Sequence, residues 1–95
     1  MTMFVILPIA AAYEEYGNEV MKRIVARGYD ACYDNDYLAA INLRVKHYWS
    51  QCVVIVGNAN VMDRTVVVRI PSLETITEYP LDTFLQSLDK IRPYQ

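Results

Sequence analysis

FVILPI, Phe4 to Ile9, is an unbroken apolar run with no alternation. Such a run suits a strand covered on both faces, as in a parallel or mixed sheet flanked by helices, and Pro8 marks its end. From Tyr13 the period changes. Tyr13, Tyr16, Val20 and Ile24, with Met21 and Val25 beside them, recur at three- and four-residue steps, while Glu14, Glu15, Lys22 and Arg23 fall largely opposite. This is the pattern of an amphipathic helix. Acids open it and bases close it, matching the helix macrodipole, and Gly28 stands where a left-handed C-terminal residue is wanted.

Tyr29 to Tyr33 (YDACY) alternates again, and a strand-helix-strand order makes a right-handed parallel crossover the expected connection. Asp34, Asn35 and Asp36 stop that strand. Either Asn35 or Asp36 is placed to N-cap a second helix over Tyr37 to Tyr48, whose apolar positions Leu38, Ile41, Val45 and Tyr48 fall three or four apart. Trp49 and Ser50 close it. Cys52 to Val56 reads as a third buried strand, Gly57 to Arg64 as a polar, turn-prone stretch, and Thr65 to Ile70 as a fourth strand ended by Pro71 and Ser72. Thr75 to Tyr79 alternates weakly, as a short edge strand does. Pro80 suits the start of a last helix, LDTFLQSL, with Leu81, Phe84, Leu85 and Leu88 on its apolar face. The expected architecture is α/β, a mixed and mostly parallel five-stranded sheet flanked on both faces by three helices, forming a single domain over 1–95.

Composition narrows the function classes. With 95 residues, 54% of them apolar and 21% charged, the chain is long enough for one core but leaves little material for the lids and clefts of a self-sufficient enzyme. A binding or assembly module is the better expectation. A net charge of -2 supplies no global basic field, so any RNA contact has to be local. Cys32 and Cys52 each sit in a hydrophobic run without CxxC spacing and read as reduced core residues; neither a metal nor another cofactor is expected. Met3 to Ala12 is too short to span a bilayer and follows no basic leader, so no membrane partner and an intracellular location are expected. The chain reads equally as a domain of a longer protein or as a small protein whose fold starts at its first strand.

The element order, with VVIVG before a polar turn and TVVVR after it, resembles the C-terminal anticodon-binding domain of the class II aminoacyl-tRNA synthetases for threonine, proline, histidine and glycine. The resemblance runs through LPI, KRIVARGYDA, YDNDYL, VVIVGNANVMDRTVVVRI and PLDTFLQSL, nearly the whole chain. It implies a non-catalytic domain that reads an anticodon loop with side chains at strand ends and adjacent loops. Asn35 falls on a polar turn position that contacts a base in threonyl-type members, and Arg69 on the strand-end arginine that does the same. Asn60 replaces an acidic position and Tyr37 a basic one. The K-I-R motif of the family helix is absent; Arg44 and Lys46 supply charge there at a different helical phase.

The resemblance therefore implies tRNA or another structured RNA as partner, with Asn35, Tyr37, Arg44, Lys46, Asn60 and Arg69 as contact residues. Tyr37 would stack, as Tyr33, Tyr48 or Trp49 would, and Arg44 with Lys46 would meet phosphates. Each residue also has a bland reading. Arg69 can turn its head to solvent beside Glu74 or Glu78, the tyrosines can be core or interface, and the acids Asp30, Asp34 and Asp36 can serve turns and caps rather than a metal ion. His47, the lone histidine, has no nucleophile context and suits a helix end. A different class stays open as well: a protein-interaction module or homodimer that reuses the fold, in keeping with the acidic balance and eight tyrosines.

Overall fold

The computed structural model describes residues 3–93. Its elements are β1 (Met3–Pro8), α1 (Glu14–Ala26), β2 (Asp30–Tyr33), α2 (Ile41–His47), β3 (Cys52–Val56), α3 (Asn58–Asp63), β4 (Thr65–Ile70), β5 (Thr75–Pro80) and α4 (Leu81–Gln86), with single 3-10 turns at Ala11–Tyr13, Pro71–Leu73 and Leu88–Lys90. The strands form one sheet in the order β2-β1-β3-β4-β5. β1 pairs parallel with β2 and β3, and β4 runs antiparallel between β3 and β5, so β4 alone opposes the common strand direction.

Alternation divides the sheet into two unequal faces. Phe4, Ile6, Val54, Val56, Val66 and Val68 point to one side, where Tyr16, Val20 and Ile24 of α1 and Leu81, Phe84 and Leu85 of α4 complete the main core. On the other side a smaller cluster holds Leu7, Val53 and Val45 of α2, with Ile41, Tyr48 and Ile55 around it. A seven-residue helix cannot cover five strands. The α2 side of β4 and β5 is therefore left open, and Thr65, Val67 and Arg69 on β4 are only half-buried beneath it.

Most of the sequence reading holds, including the parallel pairing of β1 with β2, the edge position of β5 and the left-handed Gly28 at φ 87. Three elements differ. The second helix begins at Ile41 rather than Tyr37, after Ala40, and neither Asn35 nor Asp36 caps it. Asp34 turns inward instead and accepts the Asp36 amide at 3.0 Å, while Tyr37 N and Ala39 N close turns onto Asn35 O and Asp36 O. The polar stretch after β3 is a helix, α3. Asn60 Oδ1 accepts the Gly57 amide at 2.9 Å, the return half of a capping box, and Arg64 in the left-handed region at φ 57 ends it. At Gly57 a Cβ would lie 2.8 Å from Ile9 Cδ1, so a larger residue would have to displace the Ile9 side chain. Pro80 is the N-cap of α4 and closes β5, one position earlier than a first helical residue. Cys52 is buried as expected, whereas Cys32 is only half-buried; both are free thiols. No helix among the described residues is long and apolar enough to cross a membrane.

Candidate functional site

α2 is a ridge with a different surface on each flank. The first flank faces the loop after β2. Arg44 Nε and Nη2 reach Asp34 Oδ1 at 3.0 and 2.9 Å, Nη2 also donates to Asp34 O at 3.0 Å, and the Tyr48 hydroxyl donates to Asp34 Oδ2 at 2.6 Å. Burial pushes the Asp34 carboxyl up, but the Tyr48 hydroxyl, the Asp36 amide and the Arg44 guanidinium together hold it below the usual carboxylate range. The same burial, with the bond to Asp34, pushes Tyr48 up to about 12. Arg44 also stacks over the Tyr37 ring, 5.3 Å from its centroid. The Tyr37 hydroxyl donates to Glu14 Oε1 at 2.7 Å and lies 3.2 Å from the Tyr33 hydroxyl, tying the loop to α1. Burial and then that carboxylate raise the Tyr37 pKa strongly. Beside this network lies an open cleft of about 480 Å³, lined in part by Asn35, Leu43 and His47.

The second flank faces the uncovered strands. Arg69 pairs with Val53 on β3 and Ile76 on β5, so its side chain emerges on the α2 side of the sheet. Its guanidinium makes one long hydrogen bond, Nη1 to Asn42 Oδ1 at 3.4 Å, and no ion pair among the described residues. Asn42 and Lys46 lie one helical turn apart on the same face of α2, and Lys46 is exposed. Trp49 follows three residues on, 57% exposed, and its carbonyl accepts the Ser72 amide just past the end of β4. Val67 and Ile76, with Glu78 opposite Val67, complete the floor. This shelf carries Arg69 over an apolar base, with exposed Lys46 and Trp49 on the α2 side that borders it.

The structure thus separates the residues that the sequence grouped. Arg69 and Lys46 share the shelf; Asn35 is exposed but on the opposite flank, beyond the end of β2. Arg44, Tyr37 and Asn60 have partners within the protein. Arg44 is neutralised by Asp34, Tyr37 carries Arg44 on one ring face, and Asn60 is buried between the Gly57 amide and Thr65 Oγ1 at 3.1 Å. Arg69 is not paired with Glu74 or Glu78, and the acids of the β2 loop do serve a turn through Asp34. Asn42, Val67 and Ile76 were not singled out from sequence, and Glu78 was named only as a possible neighbour of Arg69. The signal for the strand residues was the register of β4 against β5, with odd positions of β4 facing away from the main core.

No family model matches the sequence, and no curated protein matches it. Solved structures do. The crystal structure of the RNA binding domain of threonyl-tRNA synthetase from Cryptosporidium parvum Iowa II matches 98% of this chain with a TM-score of 0.81 at 19% identity, over 24% of that chain. The fold is that of a synthetase anticodon-binding domain. Two structures of prolyl-tRNA synthetase from Cryptosporidium parvum, one complexed with halofuginone and AMPPNP and the other with L-proline and AMP, match 94% of this chain at TM-scores of 0.83 and 0.82 and 16% identity. In both the match spans 20% of the synthetase chain. At these identities the likeness is one of fold, and the anticodon-binding fold here carries its own surface.

Proposed function

We propose that this chain is a non-catalytic RNA-contacting module, and that it meets RNA on the shelf formed by α2, β4 and β5. The observation that carries this reading is the placement of Arg69, a half-buried cation on the open sheet face whose guanidinium makes one long hydrogen bond, to Asn42, and no ion pair among the described residues, in a chain with the anticodon-binding fold. Arg69 suits a base edge or a phosphate through paired N–H donors, Lys46 suits a phosphate, and Trp49 offers a more exposed stacking surface than Tyr37, one ring face of which carries Arg44. Asn35 contributes only to RNA long enough to cross the α2 ridge. An anticodon loop of a tRNA, in a synthetase or a subunit derived from one, is the substrate class that this combination of stacking and local charge fits.

The test is titration of the protein with tRNA and with an unrelated RNA hairpin at two salt concentrations. The expected result is binding to tRNA in preference to the hairpin, weakened by salt through counterion release. Absence of binding at low salt with the fold intact contradicts the reading. So does binding that Arg69→Ala leaves unchanged.

A further inference from the structure

β5 is an edge strand. Its inner side pairs with β4 from Thr75 to Pro80, and no strand pairs with its outer side among the described residues. One hydrogen bond shows which backbone groups face outward. Leu81 N donates to Arg64 O at 2.9 Å, which makes Thr65 and Pro80 a pair that exchanges no hydrogen bonds of its own. The register is unbroken from there, so the pairs alternate: Thr75, Thr77 and Tyr79 bond to β4, whereas Ile76 and Glu78 turn N–H and C=O outward. That outward set is bounded at both ends. Pro80 has no N–H, and Glu74 leaves the extended region at φ 55. Thr75 to Glu78 are all exposed, Ile76 to 65%, and the lysine, internal proline or bulge that protects natural edges is missing from TITEY.

We propose that the outer edge of β5 pairs antiparallel with β5 of a second copy of this chain, about a two-fold axis at Thr77, to make one continuous sheet. In that register Ile76 lies opposite Glu78 of the second copy, and every outward N–H and C=O of both residues meets a partner. A two-fold at Ile76 sets Glu78 opposite Glu74, and one at Glu78 sets Ile76 opposite Pro80; each loses bonds that the Thr77 register makes. Side chains agree with it. On the main-core face Thr77 meets its own counterpart and Thr75 meets Tyr79, pairings of the kinds that stabilise sheets. On the α2 face Glu78 of the second copy enters the row holding Arg69 and Ile76, two strand spacings or about 10 Å from Arg69, a span that extended arginine and glutamate side chains close together. Symmetry repeats the relation on the other side of the axis.

The inference does not rest on RNA binding, although both engage Arg69, and it is tested without RNA, by sedimentation equilibrium of the full chain over a wide concentration range. The expected result is a monomer–dimer equilibrium. Ile76→Pro removes an N–H that points away from β4 and leaves the β4–β5 ladder intact, so association is expected to weaken by about tenfold or more. Glu78→Arg and Arg69→Glu each weaken it, and the double variant restores it. A monomer at every concentration overturns the proposal, as does a dimer indifferent to Ile76→Pro. Should far-UV circular dichroism show that Ile76→Pro does not fold, the charge exchange decides: restoration in the double variant supports the pairing and failure to restore overturns it.

Discussion

On one flank of α2, Arg44 is 3% exposed and bonded on several sides to Asp34; on the other, Arg69 keeps one long bond to Asn42 and otherwise faces outward. Both are arginines within reach of the same short helix, and both looked from sequence like RNA contacts. The difference lies in what surrounds them. Arg44 has a buried carboxylate whose other oxygen is held by Tyr48, so its charge is cancelled where it stands. Arg69 emerges on the part of the sheet that α2 is too short to cover. The first arginine builds the ridge, and the second stands beside it where a ligand can reach.

Breaking the closed flank has the largest expected effect. Asp34→Ala leaves the Arg44 guanidinium buried without its counter-charge and is expected to destabilise the fold by about 3–5 kcal/mol, measured by urea or thermal unfolding. The sign with pH follows. The Asp34 carboxyl is held below its ordinary range in the folded state, so its contribution is present above the unfolded value and is lost as pH falls through the folded one. Acid unfolding of Asp34→Asn is expected to lack that part of the pH dependence. Breaking the open flank acts on binding instead: Arg69→Ala is expected to weaken RNA binding by about 1–3 kcal/mol and Trp49→Ala by a similar amount per stacked base, while stability changes by no more than about 0.5 kcal/mol. Arg44→Ala reverses the pattern, with lost stability and no specific change in RNA preference among molecules that remain folded.

Smaller changes sharpen the contrast. Tyr37→Phe removes the hydroxyl between Glu14 and Tyr33 and is expected to cost about 1 kcal/mol of stability, with RNA affinity unaltered. The Tyr48 hydroxyl adds a pH dependence in alkali to the stability that its bond to Asp34 supplies at neutral pH. Its folded pKa is about 12 against an ordinary 10.0, so its stabilisation is complete below pH 10 and is lost as pH rises from there through 12. Unfolding curves of Tyr48→Phe are expected to be flatter over that interval than those of the unaltered protein.

The strands, α1 and α4 could be read from sequence because period and burial agree in them; FVILPI and CVVIV are buried runs, and α1 keeps one apolar stripe. Where side chains bond to nearby backbone, period misled. Asp34 takes the Asp36 amide and delays α2, and Asn60 takes the Gly57 amide and turns a polar stretch into α3. The candidate site followed the same division. Arg69 was legible through its match to the strand-end arginine that the resemblance implies. Arg44 and Asn60 were grouped with it by positions matched to the family, but their partners, ten positions earlier for Arg44 and five later for one bond of Asn60, come from the packing of α2 and α3. Chain position lists donors and acceptors; the fold decides which of them are already paired.

The central claim is that RNA meets the shelf of Arg69, Lys46 and Trp49 rather than the Asp34–Arg44 flank. Titration of isotope-labelled protein with an anticodon stem-loop, followed by backbone, indole and guanidinium NMR signals, tests it most directly. Salt-sensitive shifts centred on Arg69, Lys46 and the Trp49 indole, with Arg44 and Tyr37 unmoved, are the predicted result; shifts centred on Asn35 and Arg44, with Arg69 silent, contradict it.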